Sequence, residues 1–170
     1  MDTNPVRLYN QAHKLGELST ACFVKDDSFT AEDIKQGGVG DCWFLSAMAS
    51  IVGPVSEGQE DHTKFVIERL LQPKYNHEDP RARPKGIYRF QFFKMGEFWD
   101  VIIDDKLPSS KAGKKKLIRA KSSVTDEYWI PLLEKAYAKF SGGYKNLKGG
   151  WPCWALTELT GGIAIESTVS

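Results

Sequence analysis

Residues 36–52, QGGVGDCWFLSAMASIV, constrain the fold of this chain more than any other segment. Three glycines in the first five positions allow backbone angles that other residues avoid, and they predict a tight loop. The apolar run from Cys42 to Val52 predicts a buried helix. Gly53 and Pro54 predict its end, the glycine as a left-handed cap and the proline because it cannot continue the helix. Cys42 is therefore predicted to lie on the first turn of a helix.

Two further patterns predict the rest of the core. Apolar residues alternate in residues 86–93, and a glycine-containing turn at residues 94–97 leads into FWDVIID, which predicts a β-hairpin. Residues 127–140 carry apolar side chains at spacings of three and four, which predicts an amphipathic helix. Asp126 is predicted to cap that helix, and the Gly142-Gly143 pair to end it. Helices and an antiparallel strand pair in this mixture predict an α+β fold.

Three weaker patterns complete the map of elements. Shorter helices are predicted at residues 62–72 and 155–159, each followed by a proline or glycine that ends it. The polar, proline-containing residues 74–85 are predicted to form an exposed loop.

Charge and cysteine content exclude several classes of protein. Lysine plus arginine (23) nearly equals aspartate plus glutamate (22), so no field of one sign recruits nucleic acid or an anionic membrane. We expect no transmembrane segment, because no apolar run reaches about 18 residues. The N-terminal residues lack the apolar core of a secretory signal. The three cysteines, Cys22, Cys42 and Cys153, are therefore expected to be free thiols in a reducing compartment, and the protein to be cytoplasmic.

The predicted position of Cys42 suits nucleophilic chemistry. Unpaired amides and the positive end of the helix dipole favour a thiolate at a helix N-terminus, and a thiolate is the nucleophile of acyl transfer. The backbone N–H of Cys42 and the side-chain amide of Gln36 are expected to stabilise the oxyanion of the tetrahedral intermediate.

Three alternatives stay open on these residues alone. In the first, Cys42 is a buried structural cysteine. In the second, the glycine loop binds a phosphate. The loop lacks the GK[ST] ending and the GxGxxG spacing of phosphate sites. The third alternative is a redox-sensing cysteine, for which no resolving cysteine lies nearby in sequence.

The string QGGVGDCWFLSA resembles the nucleophile segment of the calpain family, whose pattern is Q-G-x-x-G-D-C-W-[FL]-L-x-A. Three other segments resemble parts of the same family: GEFWDVIIDDKLP at residues 96–108, EYWIPLLEKAYAKFSGGYKNLKGG at residues 127–150 and LTGG at residues 159–162. The resemblance implies a papain-like cysteine protease fold, represented here by its N-terminal, mainly helical half with a β-hairpin. The second half of that fold is expected to be absent.

The resemblance also implies a domain organisation and an activity. Residues 1–22 form an N-terminal extension, residues 23–162 the first protease core subdomain, and residues 163–170 the start of a linker. The implied activity is that of a calcium-dependent intracellular cysteine endopeptidase, which makes limited cuts in proteins through an acyl-enzyme. In that activity Cys42 is the nucleophile and Gln36 the oxyanion partner.

Calcium is implied by the same resemblance. The matching acidic positions are Asp33 and Glu127, and the loop containing Asp26 and Ser28 is implied to add oxygen ligands of the kind that calcium prefers. Two departures bear on this expectation. Ala31 stands where some members of the family carry an arginine used in their calcium switch, and WPCWALTE at residues 151–158 is less polar than the family's usual sequence.

The histidine and asparagine of a cysteine protease are expected in a second subdomain, about 130–150 residues after the nucleophile. The three histidines present, His13, His62 and His77, are expected to be surface residues. The chain alone is therefore expected to be inactive, with protein substrates and the second calpain subdomain as its partners. One alternative is a non-catalytic calpain-like pseudoprotease that binds calcium or regulates a partner.

Overall fold

The computed structural model describes residues 4–7, 23–24, 29–38, 40–53, 70, 87–109 and 117–165, with only the backbone described at residues 4–7, 87 and 109. The helices in this part of the chain are α1 (Cys42–Val52), α2 (Trp129–Phe140) and α3 (Pro152–Thr160). The strands are β1 (Asn4–Arg7), β2 (Ile34–Lys35), β3 (Ile87–Lys94), β4 (Glu97–Asp104), β5 (Lys106–Ser109) and β6 (Lys121–Ser122). They pair antiparallel as β1–β5, β2–β6 and β3–β4. The α+β prediction is confirmed.

The β3–β4 hairpin has the alternation that its sequence predicts. Phe90 and Phe92 are fully buried, whereas Arg89 and Gln91 point outward and donate hydrogen bonds to Asp100 on β4. Both residues of the turn, Met95 and Gly96, have positive φ, 53° and 88°. This turn geometry matches the right-handed twist of the two strands, so the hairpin closes without a bulge.

The core forms where α1, α2, α3 and the hairpin meet at Tyr137. The ring of Phe44 on α1 stacks on Tyr137 with centroids 4.2 Å apart and planes 7° from parallel. Phe92 of β3 meets the same ring edge-on at 5.5 Å. The Tyr137 hydroxyl donates to the Glu158 carboxylate on α3 at 2.5 Å. Aromatic packing thus fixes the orientation of α1, the helix that begins at Cys42.

Two details of the predicted helix ends are wrong. Gly53 has φ −65° and ψ 172°, so the chain leaves α1 in an extended conformation and not through a left-handed cap. Asp126 does not cap α2, because the helix begins at Trp129 after Tyr128, and Asp126 itself has φ 66°. The short left-handed turn at Asp126 delays the helix by two residues and leaves Glu127 outside it.

Other helix predictions hold in part. The Gly142-Gly143 pair ends α2 with φ values of 86° and 137°, as predicted. Helix α3 is longer than residues 155–159, because Pro152 suits its first turn and Gly161, at φ 76°, supplies a left-handed cap. The predicted helix at residues 62–72, except buried Leu70, and the predicted loop at residues 74–85 lie outside the described residues.

Candidate active site

Cys42 is the first residue of α1, and its side chain is exposed. The carbonyl oxygen of Asp41 accepts hydrogen bonds from the N–H groups of Phe44 at 3.0 Å and Leu45 at 3.1 Å, which close the first turn. The N–H of Cys42 lies in that turn, where amides have no acceptor within the helix. The thiol therefore lies at the positive end of α1, open to a substrate, in the position predicted from the sequence.

The loop that carries Gln36 is held against a neighbouring segment. Gln36 directly follows β2, and its side chain is exposed. The N–H of Gly38 donates to the carbonyl oxygen of Ile118 at 3.2 Å. A Cβ at Gly37 would collide with the backbone of Arg119, so only glycine permits this close approach. Both ends of the loop at residues 36–41 are thus fixed, one by strand pairing and the other by α1.

A second segment, residues 147–150, lies beside the same loop, a contact that the sequence did not predict. The N–H of Gly149 donates to the carbonyl oxygen of Gly40 at 2.9 Å. The indole N–H of Trp43 donates to the carbonyl oxygen of Leu147, also at 2.9 Å. A Cβ at Gly150 would lie 2.5 Å from the Trp43 ring. The adjacent glycines at residues 149–150 were the available signal, and they bring backbone close to Gly40 and to the Trp43 ring.

The structure brings Asp33 and Glu127 to two adjacent serines, Ser122 and Ser123. The Ser123 hydroxyl donates to Oδ1 of Asp33 at 3.2 Å, and the Ser122 hydroxyl donates to Oε2 of Glu127 at 2.5 Å. Thr30 donates to the other oxygen of Asp33 at 2.6 Å. Both acids are buried, with 9% and 4% of their surfaces exposed. Neither acid is therefore a solvated surface charge.

The remaining predicted ligands are not placed. Asp26 and Ser28 lie outside the described residues, as do His13, His62 and His77. Among the residues that the structure describes, no group of three or more His, Cys, Asp or Glu side chains is arranged to hold a metal ion. The described residues therefore offer two buried carboxylates as candidate ligands, and the metal site stays a prediction.

The structure also contains a buried polar cluster that the sequence did not predict, formed by Asp41, Arg119, Glu134 and Tyr144. The pKa of Glu134 is raised from 4.5 to about 9, chiefly by burial and then by the hydrogen bond and negative charge of Asp41. Burial, followed by the charge of Glu134, raises the pKa of Tyr144. The available signal was the position of Glu134, which interrupts the apolar face of α2 between Leu133 and Tyr137.

A cysteine exposed at the positive end of a helix, beside an anchored glycine loop, is the arrangement in which thiols act as nucleophiles. The family model described as calpain family cysteine protease matches residues 10–170. The chain therefore belongs to the calpain family of cysteine proteases, and the resemblance seen in the sequence is confirmed.

Individual calpains are also similar to this chain in sequence. Calpain-5 of Mus musculus is 38% identical over 138 residues, which cover 81% of this chain and 20% of that protein. Calpain-B of Drosophila melanogaster is 37% identical over 137 residues, covering 81% of this chain and 13% of that protein. The calpain-2 catalytic subunit of Gallus gallus is 38% identical over 135 residues, which cover 79% of this chain and 17% of that protein. The chain thus spans a fifth or less of the length of these relatives. Within the described part of the chain, no helix is long and apolar enough to cross a membrane.

Proposed function

We propose that this chain carries the nucleophile half of a papain-like, calcium-dependent cysteine endopeptidase that cleaves proteins in the cytoplasm. The observation that carries the proposal is the exposed Cys42 at the start of α1, beside an anchored loop, in a member of the calpain family. The observed α1, α2 and hairpin fit the mainly helical half of such a fold.

In the proposed reaction the Cys42 thiolate attacks the carbonyl carbon of a substrate peptide bond and forms a C–S bond. The backbone N–H of Cys42 and the side-chain amide of Gln36 donate hydrogen bonds to the oxyanion, a contribution of about 3 kcal/mol for each such donor. The C–N bond then breaks, the amine leaves with a proton, and a thioester remains on Cys42. Water hydrolyses this acyl-enzyme and regenerates the thiol.

We propose that the second calpain subdomain is the partner that supplies the histidine and the asparagine. The histidine takes the thiol proton and later protonates the leaving amine, and the asparagine orients it. The exposed Cys42 thiol supports this proposal, because a histidine from another subdomain needs access to it. This division of the triad explains why the chain alone is expected to be inactive.

The proposed role of Cys42 predicts selective alkylation. With iodoacetamide at neutral pH, Cys42 is expected to react at least about tenfold faster than Cys153, because Cys42 combines the first position of its helix with the anchored loop that precedes it, whereas Cys153 has only a helix start. Cys153 is a matched control, since it is also exposed and also lies in a first helical turn, that of α3. Peptide mass spectrometry of the labelled chain measures both rates. Equal rates would contradict the proposed nucleophile.

For calcium, we propose Asp33 and Glu127 as two of the ligands. Their carboxylate oxygens are hard donors and both are buried, and they accept hydrogen bonds from the adjacent serines at residues 122–123, which fits the oxygen-rich coordination of this ion. Asp26 and Ser28 complete the proposed set. A bound calcium ion supplies positive charge that offsets the burial of two carboxylates. Asp33 lies three residues before Gln36, so this site orders the chain that leads into the loop.

Calcium is expected to raise the free energy of unfolding of the chain. The increment is about 2.7 kcal/mol when free calcium exceeds its dissociation constant a hundredfold. Asp33→Asn and Glu127→Gln are each expected to lose most of this increment, because each removes a charged ligand. Glu32→Gln is the matched control, since Glu32 is an exposed neighbour of Asp33. Urea unfolding with calcium and with chelator measures the increment, and its absence in the unmodified chain would contradict the calcium site.

A further inference from the structure

The buried polar cluster lies beneath the start of α1, and its members come from four parts of the chain. Asp41 precedes α1, Arg119 precedes β6, Glu134 lies on α2, and Tyr144 begins the short 3₁₀ helix Tyr144–Leu147. Asp41 and Glu134 have no exposed surface. The Tyr144 hydroxyl and two of the Arg119 guanidinium nitrogens, Nε and Nη1, are also buried. The Arg119 guanidinium lies 4.2 Å from the centre of the Tyr144 ring.

The carboxyl groups of Asp41 and Glu134 can hydrogen-bond to each other only if one of them is protonated. Within the described residues, neither oxygen of Asp41 nor Oε1 of Glu134 receives a hydrogen from an N–H or O–H group of another residue. Two adjacent carboxyl groups in a low-dielectric interior cannot both be ionised without strong repulsion. A carboxyl O–H donated from one acid to the other satisfies both side chains at once. The pair then carries one negative charge, which faces the positive charge of Arg119.

The proton resides on Glu134 over the neutral range. Its pKa is raised to about 9 by burial and by Asp41, against smaller opposing effects of the Ala120 N–H and the Arg119 charge. The Tyr144 hydroxyl stays neutral chiefly because burial raises its pKa.

The acid pair connects directly to the candidate active site at two points. Asp41 is bonded to Cys42, and its carbonyl oxygen closes the first turn of α1. Oε2 of Glu134 accepts the Ala120 N–H at 3.0 Å. Ala120 ends the short segment that holds the loop, since Ile118 accepts the Gly38 N–H and the Arg119 backbone packs on Gly37. One side chain on α2 therefore lies against Asp41 and bonds the segment on which Gly37 and Gly38 rest.

We propose that Asp41 and Glu134 share one proton, and that Glu134 is a positioning residue that aligns Cys42 and the loop at residues 36–41. The positioning role rests on the proposed function of Cys42. Glu134 acts at one end through its hydrogen bond to Asp41 and at the other through the Ala120 N–H. The pair is most stable with one proton bound, so the alignment weakens when alkaline pH removes that proton.

The pH dependence of unfolding tests the shared proton. Between the unfolded pKa of 4.5 and the folded pKa of about 9, Glu134 loses its proton on unfolding, so stability falls as pH rises through this window. Glu134→Gln keeps a donor for Asp41 and an acceptor for Ala120 but has no proton to lose. The ratio of the wild-type to the Glu134→Gln unfolding constant is therefore expected to rise about tenfold per pH unit. A constant or falling ratio would overturn the shared proton, since a Glu134 that is already ionised in the folded chain releases no proton on unfolding.

The ratio of the Cys42 and Cys153 alkylation rates tests the positioning role. In the full 170-residue chain, Glu134→Ala is expected to lower that ratio about tenfold at neutral pH, because the loop loses its support at both ends. Glu134→Gln is expected to keep the ratio within about twofold, because both hydrogen bonds remain. Glu97→Ala, which removes an exposed glutamate at the hairpin turn, is the control and leaves the ratio unchanged. Circular dichroism verifies that each variant is folded.

The outcomes distinguish the positioning role of Glu134 from the proposed function of Cys42. A high wild-type ratio that Glu134→Ala leaves unchanged overturns the positioning role alone. Equal alkylation of Cys42 and Cys153 in the wild type overturns the proposed function and the positioning role together, and the unfolding comparison then decides the shared proton. If Glu134→Ala does not fold, the wild type above about pH 9 replaces it. Its ratio is expected to fall below that of Glu134→Gln at the same pH, and equal ratios overturn the positioning role.

Discussion

Phe44→Ala is expected to lower the free energy of unfolding by about 3–5 kcal/mol, the range for deleting a buried aromatic side chain. Phe44 has no exposed surface, and its ring stacks on Tyr137 at 4.2 Å. The substitution removes both the buried apolar surface and the stacking partner of a tyrosine that contacts α3 and the hairpin. The surrounding aromatic residues are held by several elements, so the cavity cannot close fully.

Urea denaturation of the two chains measures this difference. The matched control is Phe98→Ala, because Phe98 is 36% exposed and packs mainly across the hairpin on Phe93, with ring centroids 5.0 Å apart. Losing that cross-strand pair is expected to cost at most about 1 kcal/mol. Equal losses at the two positions would show that Phe44 does not anchor α1 in the core.

Gly37→Ala is expected to lower the free energy of unfolding by about 2–3 kcal/mol, as overpacking against a rigid neighbour does. The new methyl group would meet the carbonyl carbon, the carbonyl oxygen and the Cα of Arg119. Backbone atoms cannot rotate away as a side chain can, so the loop or the segment at residues 118–120 must move. Either movement displaces Gln36, the proposed oxyanion donor, from its place after β2.

The next residue supplies the control for this substitution. A Cβ at Gly38 would lie 4.0 Å from the nearest neighbouring atom, the carbonyl oxygen of Ile118, which is an ordinary contact. Gly38→Ala is therefore expected to change the free energy of unfolding by less than about 0.5 kcal/mol. Urea denaturation of both alanine variants provides the comparison. If Gly37→Ala were as mild as Gly38→Ala, the close approach to Arg119 would not hold the loop.

Much of the fold could be predicted because its signals are local. The hairpin follows from alternation on either side of a glycine turn, and α2 follows from apolar residues at helical spacing. The same local rules were wrong about Asp126, where a left-handed residue delays the helix. They also did not predict the pairs β1–β5 and β2–β6, because strands of four and two residues have too little pattern to show partners that lie far away in the chain.

The candidate site was likewise predicted only in part. Cys42, Gln36 and the glycines between them lie close together in the chain, so one short string of sequence identified the family and predicted the position of the thiol on α1. Asp33 and Glu127 were predicted as a pair only through the family resemblance. Their common support, the serines at residues 122–123, became visible with the pairing of β2 and β6.

The sequence by itself determined the type of protein, the likeness to calpains and the residue on which the proposed chemistry depends. Only the tertiary structure decided that Glu134 is buried against Asp41 and that Arg119 supports Gly37. The physical reason is that helix starts and turns depend on neighbours in the chain. The protonation state of a buried acid depends instead on the groups that folding brings around it and on the water that folding removes.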